Sequence, residues 1–234
     1  MTSKRTMLNL CLLAAGAAAV AFSSLACRNG DGFSAARKEK PAESDDSSAL
    51  KKNVFLCMGD SLTAGYGVAR EEAWPGLLEA DLKTEGISLR VRNAGTSGLT
   101  SAGAIEALSW QLSGDILILF LAIGANDGLR GLDLGQSRKN ISSIVREAQV
   151  RGVQVVLAGM KIPPNYGPAY AKRFEAMYVE IAREHRLKLM PFLLEGVAGR
   201  PRYNLEDGIH PNAEGHRLIA GNVLAFLKKE KVLR

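Results

Sequence analysis

Five short apolar runs are spaced along the chain, and each closes on glycine, asparagine or proline. They are Val54 to Met58, Leu89 to Val91, Ile116 to Leu121, Val153 to Leu157 and Leu187 to Phe192. The runs are continuous rather than alternating, which suits strands buried on both faces. Between them the apolar positions change period. Ile141, Ile144, Val145 and Ala148 recur at i, i+3, i+4 and i+7, and so do Phe174, Met177, Tyr178 and Ile181. A last segment puts Ile219, Val223, Phe226 and Leu227 on one helical face, with Asn212 placed to cap it. Alternation of strand and helix at this spacing predicts an α/β fold, a parallel sheet with helices on both faces. In such sheets ligands bind beyond the carboxyl ends of the strands.

The N-terminal quarter follows another pattern. Lys4 and Arg5 precede an Ala-rich apolar run from Met7 to Phe22, and small residues lead to Cys27. This predicts a secretory signal peptide over residues 1–26. Leu25-Ala26-Cys27 resembles the lipobox of bacterial lipoproteins, with its leucine one place later than usual, and implies lipid attachment at Cys27. Residues 27–51 then read as the lipidated cysteine and a flexible polar tether. Arg37 to Ser48, RKEKPAESDDSS, has no apolar period with which to bury a face. The folded domain is expected over residues 52–234. The chain would be exported in a bacterium and held at a membrane, facing the periplasm or the cell exterior.

Composition narrows the partners. Apolar residues make up 47% of the 234 and charged residues 23%, as in a globular protein. The net charge of +6 includes Lys4 and Arg5, which leave with the signal. No Lys/Arg stripe interleaved with aromatics suggests nucleic-acid binding. The cysteines are Cys11, Cys27 and Cys57, which offer neither a disulfide framework nor a metal cluster. A monomer is the default expectation.

Candidate chemistry follows the strands. Gly59-Asp60-Ser61-Leu62 comes directly after the first run, within GDSLTAGYG, Gly59 to Gly67. A serine hydroxyl is a weak nucleophile without a base. Of three histidines, His185 lies at the polar end of a helix and reads as solvated, and His216 lies inside the last helix. His210 stands in an irregular stretch three residues after Asp207. That spacing lets the carboxylate fold back onto one ring nitrogen while the other faces Ser61. An oxyanion needs hydrogen-bond donors. Asn126, in Gly124-Ala125-Asn126-Asp127 after the third run, offers a side-chain NH₂, and Gly98 after the second offers a backbone N–H.

GDSL at Ser61, Gly98, the G-x-N-D box at Asn126 and the D-x-x-H box at Asp207 and His210 resemble, in order, the four blocks of the GDSL/SGNH hydrolases. GDSLTAGYG, GANDGLRG, PNYG and DGIHPN are most similar to the branch of bacterial acyl-CoA thioesterase I, lysophospholipase L1 and arylesterases. The resemblance covers roughly residues 53–227. It implies a flavodoxin-like three-layer α/β/α fold with a five-stranded parallel sheet, no metal and no cofactor. It also implies hydrolysis of acyl esters or thioesters by a Ser61–His210–Asp207 triad, with Ser61, Gly98 and Asn126 as the oxyanion hole. Ala125 stands where the family often has glycine. No G-x-S-x-G surrounds Ser61, against an α/β-hydrolase elbow. Apolar residues in the segments after the third and fourth runs, Leu129, Ile162, Pro163 and Tyr166, are expected to wall the acyl site. Two alternatives are a carbohydrate or peptidoglycan O-acetylesterase and, in another class, a non-catalytic lipid-binding surface lipoprotein.

Overall fold

The five runs form five parallel strands in a computed structural model that describes residues 52–233. The expected signal segment, Cys27 and nearly all of the tether lie outside the described residues. The strands are β1 (Val54–Gly59), β2 (Arg90–Gly95), β3 (Ile116–Ala122), β4 (Gln154–Ala158) and β5 (Lys188–Met190), in the order β2-β1-β3-β4-β5. Every residue of β1 is buried, as is every residue of β3 except Leu117. Both faces of the centre are therefore covered, as continuous Val, Ile, Leu and Phe runs require.

Helices α2 (Trp74–Thr84) and α7 (Ala213–Lys229) pack together, while α3 (Ser101–Gln111), α5 (Leu134–Val150) and α6 (Pro168–Glu184) form a second contiguous set. The chain passes from β1 outward to β2, then returns across β1 to β3 and moves in the other direction. With right-handed crossovers, that reversal puts the two helix sets on opposite faces. It also parts the connections after β1 and β3, opening a crevice at the carboxyl end of the sheet. Two short helices line that end, α1 (Ser61–Ala64) and α4 (Ala125–Leu129).

Two local expectations change. Asn93-Ala94-Gly95 reads as turn sequence but continues β2, because pairing with β1 carries the ladder to Gly59↔Gly95. Glycine is needed there: a Cβ at Gly95 would overlap the backbone of Ala64, so α1 can lie directly on the strand. The Gly124–Asp127 segment, which follows the third run, opens α4 with Gly124 as its N-cap. His185 is not solvated. Its side chain is 8% exposed, because the chain folds back after α6 through a Leu187 N–H bond to the Ala182 carbonyl. Helices α2 and α3 form where no apolar period stands out. A Trp-Pro start suits α2, and Thr100 caps α3 by accepting from the Gly103 N–H.

Candidate active site

Ser61 begins α1 immediately beyond β1. Asp60 caps that turn, its Oδ1 accepting from the Leu62 N–H at 3.0 Å. The other oxygen, Oδ2, is buried without a partner. Burial pushes the Asp60 carboxyl up to about 6, against the Leu62 hydrogen bond and the nearby His210, which pull it down. The Gly65 and Tyr66 N–H groups both donate to the Ser61 carbonyl and close the turn behind it.

The segment before α7 brings His210 to Ser61, with Nε2 2.9 Å from the serine Oγ. Asp207 meets the other ring nitrogen, Nδ1, at 2.7 Å. Its second oxygen accepts the backbone N–H of Ile209 at 2.9 Å and of His210 at 3.0 Å. The His210 backbone N–H, the ring and the Ile209 N–H together hold the carboxyl down at about 2. Asp207 is therefore a carboxylate at neutral pH, and with Nδ1–H donating to it, Nε2 is left free to accept a proton. The loop closes on itself through the Asn204↔Pro211 bridge and the Leu205 N–H bond to the His210 carbonyl. The Tyr66 ring lies 4.5 Å from the imidazole and covers it.

The donor residues come from two other connections. Asn126 gives one N–H to the Leu99 carbonyl at 3.1 Å, which fixes its amide and leaves a second N–H. Among the described residues, no acceptor is bonded to the backbone N–H of Ser61 or Gly98. Arg130 Nη2 donates to the Gly98 carbonyl at 3.1 Å, clasping the two connections together. Under them lies a polar network. Asp127 is 2% exposed and accepts from Ser101 N–H at 2.9 Å and Ser101 Oγ at 2.5 Å, with Ser137 Oγ at 3.0 Å. Asn140 donates to Ser101 Oγ at 3.0 Å. Gly124, at φ 111°, allows the Tyr178 hydroxyl to reach the Ile123 carbonyl at 2.9 Å, where a Cβ would collide with it.

Asp127, Ser101, Ser137, Asn140 and Tyr66 escaped the sequence reading. A signal existed for two of them: Ser137 and Asn140 fall on the apolar stripe of α5, where a polar residue needs a buried partner. His216 is fully buried. Its Nδ1 accepts from the Trp74 N–H at 3.3 Å and so caps α2, which has no side-chain cap of its own. Burial pushes its pKa down to about 4.

Of the expected wall residues, Leu129 ends α4 and Tyr166 lays its ring over Gly131, and both are exposed. Pro163 is exposed, whereas Ile162 is 8% exposed, wedged beneath Gly128. The structure thus brings Leu129 and Tyr166 into one exposed patch and keeps Ile162 under it.

A hydroxyl, an imidazole and a carboxylate in line, at the switch point of a parallel sheet, can carry out nucleophilic acyl transfer. With its five strands and three layers, this is the SGNH-hydrolase fold. Residues 57–218 match the GDSL-like Lipase/Acylhydrolase family. Esterase TesA of Pseudomonas aeruginosa is 38% identical over 176 residues, 75% of this chain and 88% of that protein. Thioesterase 1/protease 1/lysophospholipase L1 of Escherichia coli K12 is 33% identical over 173 residues, 74% of this chain and 82% of that one. The crystal structure of the psychrotrophic esterase EstA from Pseudoalteromonas sp., inhibited by monoethylphosphonate, superimposes with a TM-score of 0.71. It is 34% identical, with 76% of this chain and 98% of that chain covered. The chain belongs to the GDSL-like lipase/acylhydrolase family and is a hydrolase of ester bonds.

Proposed function

We propose that the chain hydrolyses acyl esters and thioesters through an acyl-serine intermediate on Ser61. Ser61 Oγ attacks the acyl carbonyl as His210 Nε2 takes its proton. Asp207 holds the imidazole by Nδ1–H and stabilises the imidazolium that forms. The carbonyl oxygen becomes an oxyanion, met by the Ser61 and Gly98 N–H groups and the second N–H of Asn126. As the tetrahedral intermediate collapses, His210 gives its proton to the leaving alkoxide or thiolate. Water then attacks the acyl-serine, with His210 again accepting and returning a proton, and the acid and free Ser61 are released. The observation that carries this reading is the Ser61–His210–Asp207 line, 2.9 and 2.7 Å between successive heavy atoms.

Leu129, Pro163 and Tyr166 serve as the acyl wall in this reading, with Ile162 supporting it from beneath Gly128. The exposed Leu129–Tyr166 patch supports medium or long acyl chains, and relatives carry thioesterase and lysophospholipase in their names. Hydrolysis of p-nitrophenyl octanoate and acetate by the wild type and Leu129→Ala tests it. The wild type should favour octanoate, and the variant should shift toward shorter chains. A preference for acetate in both would point instead to an O-acetylesterase.

The same reading extends to the N-terminus: residues 1–26 a cleaved signal, Cys27 lipidated, residues 27–51 a tether and residues 52–234 the catalytic domain. The basic start, apolar run and small residues before Cys27 support it, placing the enzyme on a membrane facing the periplasm or cell exterior. Mass spectrometry of the mature N-terminus from a bacterial host tests it. A diacylated or triacylated Cys27 is expected, and an unmodified terminus elsewhere would overturn the anchor.

A further inference from the structure

The end of the sheet opposite Ser61 has its own chemistry. The described chain starts there at Lys52, and the turns leading from α2, α3, α5 and α6 into the following strands meet there, with the last turn of α7 beside them. Three large apolar side chains lie open at this base. Trp110, next to last in α3, is 75% exposed; Val150, last in α5, is 84% exposed; and Leu117, near the start of β3, is 37% exposed. Helices α3 and α5 pack on each other, so Trp110 and Val150 belong to one layer. A hollow of about 600 Å³, lined by Ile87, Leu89, Leu117 and Leu233 with Lys52, opens at this same end.

Single exposed apolar residues are ordinary on a protein surface. Here they stand among cations. Lys52, Lys83, Arg90, Arg146, Arg186 and Lys231 are exposed in the same turns and helix ends, and among the described residues none is paired with a carboxylate. Of the carboxylates at this end, Glu85, Glu147 and Glu230 are paired with Lys228, Arg151 and Lys188, and Glu184 with Arg138, while Asp115, in the turn before β3, has no ion-pair partner among the described residues. Lys52 also donates to the Arg151 and Gly152 carbonyls and Arg146 to the Ser143 hydroxyl, but these neutral partners leave both charges uncompensated, so the excess charge at this end is positive.

We propose that this base docks on an anionic lipid bilayer. Trp110 and Val150 enter the headgroup region, where an aromatic ring with an N–H is well accommodated, and the lysines and arginines meet lipid phosphates. Lys52, where the described chain begins, lies on this same face. Ser61 then stands about 20 Å further out, beyond the six residues of β1 at about 3.3 Å each. The site opens away from the bilayer underfoot, toward acyl substrates arriving from the other side. The surface does not depend on acylation of Cys27 or on the catalytic reading of Ser61; an anchor would only raise its local concentration.

The test uses the chain from residue 46 onward. That part folds on its own: sheet and core are complete within the described residues, and EstA, covered over 98% of its length, is a whole chain of that extent. Trp74 is fully buried, so fluorescence changes on adding vesicles report Trp110. With vesicles of equal phosphatidylglycerol and phosphatidylcholine, the emission should shift to the blue and be quenched by brominated acyl chains. Phosphatidylcholine alone should bind far more weakly. Arg146→Gln, Arg186→Gln and Lys231→Gln should each weaken binding about fivefold. Val150→Ser should weaken it severalfold, and hydrolysis of a soluble ester should be unchanged in all four. Equal binding to both vesicles, or no shift at all, would overturn the proposal. Binding to phosphatidylglycerol with Trp110 still open to acrylamide would also overturn it, leaving a general polyanion site.

Discussion

Asp207 and Asp127 both serve the Ser61 end of the sheet, and they are held in opposite ways. Asp207 stands in a loop whose side chain is 38% exposed, and its hydrogen bonds reach no further than three residues along the chain. Asp127 is 2% exposed, and its partners lie 10 and 26 residues away on α5 and α3. The exposed loop is organised by its own backbone and can adjust to a leaving group or a water. The buried turn is locked by other elements, which suits a group that must present a donor at a fixed point. In the proposed mechanism one arrangement moves protons and the other keeps a position.

This division predicts how the site fails. The largest effect belongs to the proposed nucleophile: Ser61→Ala should lower kcat by about 10⁶, as expected where a serine, its base and its orienting acid act as a unit, with the melting temperature nearly unchanged. Next, Asp207→Asn should lower kcat by about 10⁴ by losing the imidazole's orientation, again with little change in thermal stability. If Asp207→Asn unfolded the protein, the contrast between the two loops would fail. Asn126→Ala should cost roughly 10²–10³ in kcat with a smaller effect on KM, as for a donor used mainly in the transition state. An effect confined to KM would move Asn126 to substrate binding.

Asp127→Asn should behave differently from Asp207→Asn. It turns an acceptor-only group into one with donors facing the donors of Ser101, at a cost of about 1–3 kcal/mol. The melting temperature should fall by roughly 5 °C, with a modest loss in kcat, as calorimetry and kinetics on the same sample would show. The pattern of stability loss with Asp127 and activity loss with Asp207 sharpens the comparison; the reverse would break it.

The smallest effect concerns pH. Asp60 binds its proton more tightly folded than unfolded, so its contribution to stability falls as pH rises from about 4 through about 6. His216 works the other way: its folded pKa of about 4 means that stability is gained as pH rises from about 4 to 6.5. Asp60→Asn keeps an oxygen for the Leu62 N–H and removes the first term, so denaturant midpoints should climb more steeply between pH 4 and 6 than in the wild type. An unchanged pH profile would mean that the Asp60 carboxyl ionises normally.

The same contrast explains what the sequence could tell. Local relations were legible. Asp207 and His210 are three residues apart, and Ser61 directly follows an apolar strand, so spacing alone suggests their meeting. The central runs, β1 and β3, were legible because burial on both faces leaves no polar position, whereas the outer strands carry Arg90, Gln154 and Lys188 at exposed sites. The β2 extension was not, because Asn93 and Gly95 are turn residues by type and stay in the strand only through pairing with β1. Nor was the clasp of Arg130 on Gly98, across 32 residues, nor the buried cap that His216 places on α2 across 142. Those contacts exist only once the sheet has brought separate connections to one end.

The central claim is that Ser61, served by His210, is the atom that takes the acyl group. The most direct measurement is treatment with a p-nitrophenyl alkylphosphonate, followed by intact-mass and peptide mapping. The account predicts one adduct per chain on the Ser61 peptide, with p-nitrophenol released in equal amount, and no adduct in Ser61→Ala or at a slowed rate in His210→Ala. Labelling of another residue, or undiminished labelling of Ser61→Ala, would contradict it.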